Sequence, residues 1–209
     1  MGKYPVIIDN FIPEYEAVRF EKFLSDIAQD SPFVENYRIA LGYPNSVYAS
    51  KVGYSEPVIQ GYENTENEQV VKDLGDLLLS VKEMLEADFL EEMGTVQYSY
   101  HQMLEGARNR LHSDSTKLDG SPLNEDGTPE EVEWSALLYL TSYEEDFSGG
   151  EIEFPNQGLV HKPMKGQLMF FKGDVNYPHK VHTVTGGLRS ALVFFFGRRG
   201  NTSEARNFG

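Results

Sequence analysis

The spacing of apolar residues changes character once along this chain, near Gly94. Before that point its two long periodic stretches are helical. Val6, Ile7 and Ile8 form a short apolar run, and Asp9, Asn10 and Pro13 then break it. From Glu14, the residues Val18, Phe20, Phe23, Leu24 and Ile27 recur at the spacing of one helix face. The chain therefore opens as strand, turn and helix. Residues 67–92 carry Val70, Val71, Leu74, Leu77, Leu78, Val81, Met84 and Leu85 at the same spacing, which predicts a second helix. Between the helices, residues 31–66 are interrupted by Pro32, Pro44 and Pro57 and are rich in tyrosine, and they read as loops with short strands, a flap.

After Gly94 the runs are strand-like: 95–104, 134–141, 151–154, 158–162, 167–172, 179–184 and 188–196. Turn signals separate them at Gly106, Gly149-Gly150, Asn156-Gln157, Lys165-Gly166 and Gly186-Gly187. Many short strands with regular turns predict a β-sandwich or barrel, with the early helices packed on one sheet. Residues 115–133 form a long acidic loop, of a kind usually kept for function. The expected organisation is one domain over 1–209. Its strand, helices and flap occupy 1–94, a β core 95–200 and a tail 201–209.

Composition narrows the chemistry. The 209 residues are 40% hydrophobic and 24% charged, an ordinary globular balance. There is no cysteine, so thiolate catalysis and Cys-ligated zinc or iron–sulfur centres are excluded. The formal charge is −15, which disfavours a nucleic-acid partner. No basic segment followed by a long apolar run opens the chain, and no apolar run is of membrane-spanning length. A soluble, cytoplasmic protein without membrane contact is expected.

Five histidines remain as metal-ligand candidates: His101, His112, His161, His179 and His182. His112 and Asp114 stand two residues apart, so an extended segment points both to one face. Two histidines and one carboxylate form a three-ligand set that leaves metal positions open. His179 and His182 compete for the third place. If Thr185-Gly186-Gly187 closes a three-residue hairpin loop, Arg189 shares the face of His179, roughly 13 Å along the strand. A two-residue Gly-Gly turn would put Arg189 on the opposite face. In the first case a five-carbon dicarboxylate could chelate the metal at one end and pair with the Arg189 fork at the other. A lone histidine more often satisfies a local hydrogen bond, so His101, His161 and His182 are read as structural.

Taken in order, His112-x-Asp114, the segments 149–155 and 162–171, and His179 through Arg189 resemble the iron(II)- and 2-oxoglutarate-dependent dioxygenases of the prolyl 4-hydroxylase-like branch. The resemblance covers about residues 96–197. It implies an α+β, mainly β fold: a double-stranded β-helix (jelly roll) with supporting N-terminal helices. It implies iron(II) on His112, Asp114 and His179, and 2-oxoglutarate held by Arg189. It adds Tyr139 as a second contact to the distal carboxylate and Tyr100 as a pocket tyrosine. O2 is the oxidant, and ascorbate is a candidate accessory.

The activity implied is hydroxylation of a prolyl residue in a peptide or protein, with release of succinate and carbon dioxide. A free amino acid or other small molecule is the alternative substrate. A nucleic-acid demethylase of the same chemistry conflicts with the acidity of the chain. A non-catalytic jelly-roll binding module would carry a broken ligand set, and a zinc cupin would leave Arg189 without a task. Residues 31–66 and 115–133, which flank the ligands, are expected to fold over the substrate.

Overall fold

The computed structural model describes residues 5–30, 46–49, 67–89, 92–121 and 132–198. Most of the predicted flap, the centre of the predicted acidic lid and the tail at 201–209 lie outside the described residues.

The chain enters as strand β1 (Val6–Ile8) and helix α1 (Glu14–Asp30). Pro13 sits just before the helix, where its missing N–H is harmless, and its carbonyl accepts from the Glu16 and Ala17 amides. Glu14 and Glu16 place negative charge at the positive end of the helix dipole. Ala17, Phe20, Phe23 and Leu24 face inward, whereas Val18 is half exposed. After β2 (Ser46–Ala49) comes helix α2 (Glu68–Phe89), whose Leu77, Leu78, Val81 and Leu85 are buried. An ion pair from Arg19 to Asp73 joins the helices. Among the described residues no helix is long and apolar enough to cross a membrane.

The remaining strands are β3 (Met93–Leu104), β4 (Asn109–His112), β5 (Trp134–Tyr139), β6 (Phe147–Gly149), β7 (Ile152–Phe154), β8 (Leu159–His161), β9 (Leu168–Lys172), β10 (His179–Val181) and β11 (Val184–Arg198). They form two antiparallel sheets. The larger runs β1-β9-β5-β11-β3-β2, with β6 also paired to β11, and the smaller runs β4-β10-β7-β8. The result is mainly β with two helices, the double-stranded β-helix expected from the sequence.

Alternation along β5 shows how the sheets are used. Trp134, Ala136 and Leu138 pack with Phe20, Leu24, Val81 and Leu85 of the helices. Leu137 and Tyr139 point the other way, into a core with Ile152, Phe154 and Val181 of the smaller sheet. The larger sheet is thus covered on both faces, by helices outside and by the smaller sheet inside. Each fully buried aliphatic or phenyl side chain in these layers contributes roughly 1.5–3 kcal/mol of transfer free energy.

The last hairpin differs from expectation. Gly186 and Gly187 do not turn the chain. They lie within β11 and pair with Ser148 and Phe147 of β6. β10 pairs with β4 and β7, so it and β11 belong to different sheets. Gly187 serves a close approach instead: its φ is +75°, and a Cβ there would lie 2.1 Å from the Asp146 carbonyl oxygen.

Candidate metal centre and adjoining pocket

His112 ends β4 and His179 begins β10, and the two are direct cross-strand partners. Directly opposed residues share a face, so the pairing alone puts both rings on one side of the smaller sheet. Their centroids are 4.4 Å apart. Asp114 lies just beyond the end of β4, on a bend rather than on an extended strand. Two amides fix that bend, those of Asp114 and Ser115, each 2.9 Å from the Gly173 carbonyl.

The carboxylate of Asp114 faces both rings. Its Oδ1 is 3.5 Å from His112 Nε2 and 3.8 Å from His179 Nε2. One ligand atom from each of the three residues lies within 4.8 Å of the others. His112 Nδ1 is 2.7 Å from the Arg110 carbonyl, and His179 Nδ1 is 3.2 Å from that of Tyr177. A carbonyl only accepts, so each Nδ1 carries the hydrogen and each Nε2 is the ring nitrogen turned toward the carboxylate. The other Asp114 oxygen, Oδ2, accepts from the Ser135 hydroxyl at 2.6 Å. Ser135 is fully buried, and the Asp114 side chain is 9% exposed. Phe154 and Phe171 pack around His179, at 5.3 and 4.8 Å between centroids.

The electrostatics keep Asp114 and His179 in ligand form. Burial pushes the Asp114 carboxyl up, but His179, His112 and Ser135 together hold it down at about 2. Burial brings His179 down to about 4, so its imidazole is neutral at pH 7. Burial also lowers His112, but the Asp114 carboxylate outweighs it and the net shift is upward. Two imidazole nitrogens and one carboxylate oxygen form a donor set that suits a divalent first-row metal and leaves positions open.

Arg189 lies elsewhere in the same inter-sheet layer. Its side chain is fully buried, with Nε donating to the Gly150 carbonyl at 2.9 Å and Nη1 3.6 Å from Met103 Sδ. Its guanidinium carbon is 5.4 Å from the centre of the Tyr139 ring. Burial raises the Tyr139 phenol to about 12, against the pull of Arg189, so it stays protonated and can donate. Arg189 and His179 thus approach from two facing sheets, not along one hairpin.

Three other residues singled out in the sequence lie apart from the His112, Asp114 and His179 cluster. Tyr100 is on the opposite face of β3, where its hydroxyl donates to Glu21 of α1 at 2.8 Å and accepts from Gln102, so the structure does not bring it to the pocket. Its neighbour His101 points inward in its place. His182 pairs with Glu153 at 2.6 Å and is half exposed, and the cluster of potential ligands does not include it. His161 bonds Gln167 at 3.0 Å. Sequence reasoning passed over Ser135, whose signal was a serine on the inward parity of an otherwise apolar strand.

Residues 97–197 match the family model of the 2OG-Fe(II) oxygenase superfamily. Over 66 residues the chain is 35% identical to the 2-oxoglutarate and iron-dependent oxygenase domain-containing protein 3 of Xenopus tropicalis, and equally to that of Homo sapiens. Those matches cover 31% of this chain and 21% of each relative, about a fifth of its length.

Among solved structures, the viral collagen prolyl hydroxylase of Paramecium Bursaria Chlorella virus-1 is similar, with a TM-score of 0.60. The identity is 20%, over 95% of this chain and 97% of that one. A prolyl-4-hydroxylase of Pseudomonas putida gives a TM-score of 0.56 at 19% identity, over 93% and 92%. A Trichoplax adhaerens prolyl hydroxylase, solved with a hypoxia inducible factor peptide fragment, gives 0.60 at 17%, over 97% and 88%. At these identities the likeness establishes the shared fold.

Proposed function

We propose, for a chain that belongs over residues 97–197 to the 2OG-Fe(II) oxygenase superfamily, that it hydroxylates a prolyl residue in a peptide or protein. The observation that carries the reading is the convergence of His112 Nε2, Asp114 Oδ1 and His179 Nε2, with both histidines oriented from behind by backbone carbonyls. These three residues would hold iron(II). Arg189 would pair with the distal carboxylate of 2-oxoglutarate, with the Tyr139 hydroxyl as a second donor. When bound, iron, 2-oxoglutarate and O2 supply an oxidation that gives succinate and carbon dioxide and inserts one oxygen atom into a substrate C–H bond.

The protein's own contribution is placement. Ser135 holds Asp114 by one oxygen, so the other remains directed at the metal. Phe154 and Phe171 wall the site on the His179 side and keep water from it. His112 has a more exposed side chain, 35% against 7% for His179, so substrate enters on the His112 side. The prolyl assignment draws on the fold-level neighbours, three of which are prolyl hydroxylases.

The test is turnover with iron(II), 2-oxoglutarate and ascorbate against a set of proline-containing peptides. Succinate and peptide mass are both measured. Gain of one oxygen by a prolyl residue, matched by succinate, is the expected result. Succinate formed with a small-molecule acceptor and never with a peptide would reassign the substrate.

A further inference from the structure

His101 is a buried titratable group to which the proposed mechanism gives no role. Its exposure is 4%. The registers of the larger sheet locate it. On β11, Arg189, Ala191, Val193 and Phe195 share the inward parity, and directly opposed residues point the same way. Arg189 stands opposite Met103. Ala191 stands opposite His101 on one side and Tyr139 on the other. Val193 stands between Ser99 and Leu137, and Phe195 opposite Ser135.

Ser135 bonds Asp114, so the last of these rows marks the metal end. Arg189 marks the other end. A lane along β11 therefore joins the guanidinium to the ligand group. Ala191 floors it with a single methyl group, and Tyr139 and His101 stand on its two sides.

The electrostatics agree with that placement. Burial lowers the His101 imidazole well below its ordinary range, and both Arg189 and His112 push it the same way. It therefore senses both ends of the lane. A neutral imidazole keeps one N–H to donate. Met103 on the same strand already touches Arg189, so β3 lines the lane over at least two inward positions.

We propose that His101 is a co-substrate-binding residue: it forms the wall of the lane opposite Tyr139 and donates a hydrogen bond to a carboxylate oxygen of 2-oxoglutarate. This assignment rests on the function proposed above. It gives the pocket a donor on each side of Ala191, which fixes the rotation of a flexible five-carbon chain as well as its ends.

The experiment is anaerobic calorimetry of 2-oxoglutarate into the iron(II)-loaded protein, with a separate iron(II) titration of each variant. His101→Phe removes the donor and keeps an aromatic ring. His101→Leu is a second donor-free variant should the first not fold, and His101→Gln retains a donor. The expected result is 2-oxoglutarate affinity about tenfold weaker or more without the donor, and within about threefold of wild type in His101→Gln. Iron affinity should stay within about twofold throughout.

Wild-type affinity for 2-oxoglutarate in a donor-free variant would overturn the assignment, as would an equal loss of iron affinity. A wild-type protein that takes iron but no 2-oxoglutarate would instead overturn the proposed function, and the assignment with it.

Discussion

Replacing Ser135 by alanine tests how the Asp114 carboxylate is held. The hydroxyl donates to Oδ2 at 2.6 Å, inside an apolar row between Phe171 and Phe195. A hydrogen bond to a charged group contributes about 1.5–3 kcal/mol. For a chain of this length each kcal/mol moves the melting midpoint by about 2–4 °C, so the metal-free variant should melt roughly 3–12 °C lower. The metal effect is separate. Without Ser135, Oδ2 can rotate toward the metal and Oδ1 loses its fixed aim at the two Nε2 atoms. Loss of such an outer partner weakens metal binding by about 10–100-fold.

The hydroxyl also lowers the Asp114 carboxyl. Its loss should therefore move the acid limit of metal binding to higher pH. The assay is anaerobic iron(II) titration of wild type, Ser135→Ala and Ser135→Thr across a pH series. Ser135→Thr, which keeps the hydroxyl, should recover most of the affinity. A lower melting point with unchanged iron affinity would refute the reasoning and leave Ser135 a packing residue.

Arg189→Ala should raise the 2-oxoglutarate requirement by about tenfold or more while changing iron affinity little, because the guanidinium touches Gly150, Met103 and Tyr139 but none of the three ligands. Parallel iron and 2-oxoglutarate titrations check this. Glu21 lies under the sheet, bonded to Tyr100 and Ser190, and burial raises its carboxyl above 4.5 despite those donors. A raised folded value means that its stabilising contribution is full below the unfolded value and is lost as pH rises through the folded one. Glu21→Gln should therefore gain stability relative to wild type between pH 4.5 and pH 8, read from melting curves; a constant difference would contradict this.

The helices and the candidate ligand pair His112 and Asp114 were legible because their signals are local. Helical spacing placed α1 and α2 to within a few residues, and His112-x-Asp114 is a short-range pattern. What failed was non-local. Gly186-Gly187 has the look of a hairpin turn, but its glycines exist to let β6 cross close by, and no spacing within the segment reveals a partner 40 residues upstream. Tyr100 was misplaced for a related reason. β3 is buried on both faces, so alternation of Ser99, Tyr100, His101 and Gln102 does not say which parity meets the helices. The same uncertainty hid His101 and Ser135, which become visible only when three strands are set in register.

The central claim is that His112, Asp114 and His179 form one iron site that presents open positions to 2-oxoglutarate. The most direct measurement is anaerobic addition of iron(II) and then 2-oxoglutarate to the metal-free protein, followed by visible absorption. A metal-to-ligand charge-transfer band is predicted for wild type and for Tyr100→Phe, whose hydroxyl faces Glu21. It should be absent in His179→Ala. A folded wild-type protein that takes up iron without developing the band, or a His179→Ala variant that develops it unchanged, would contradict the account.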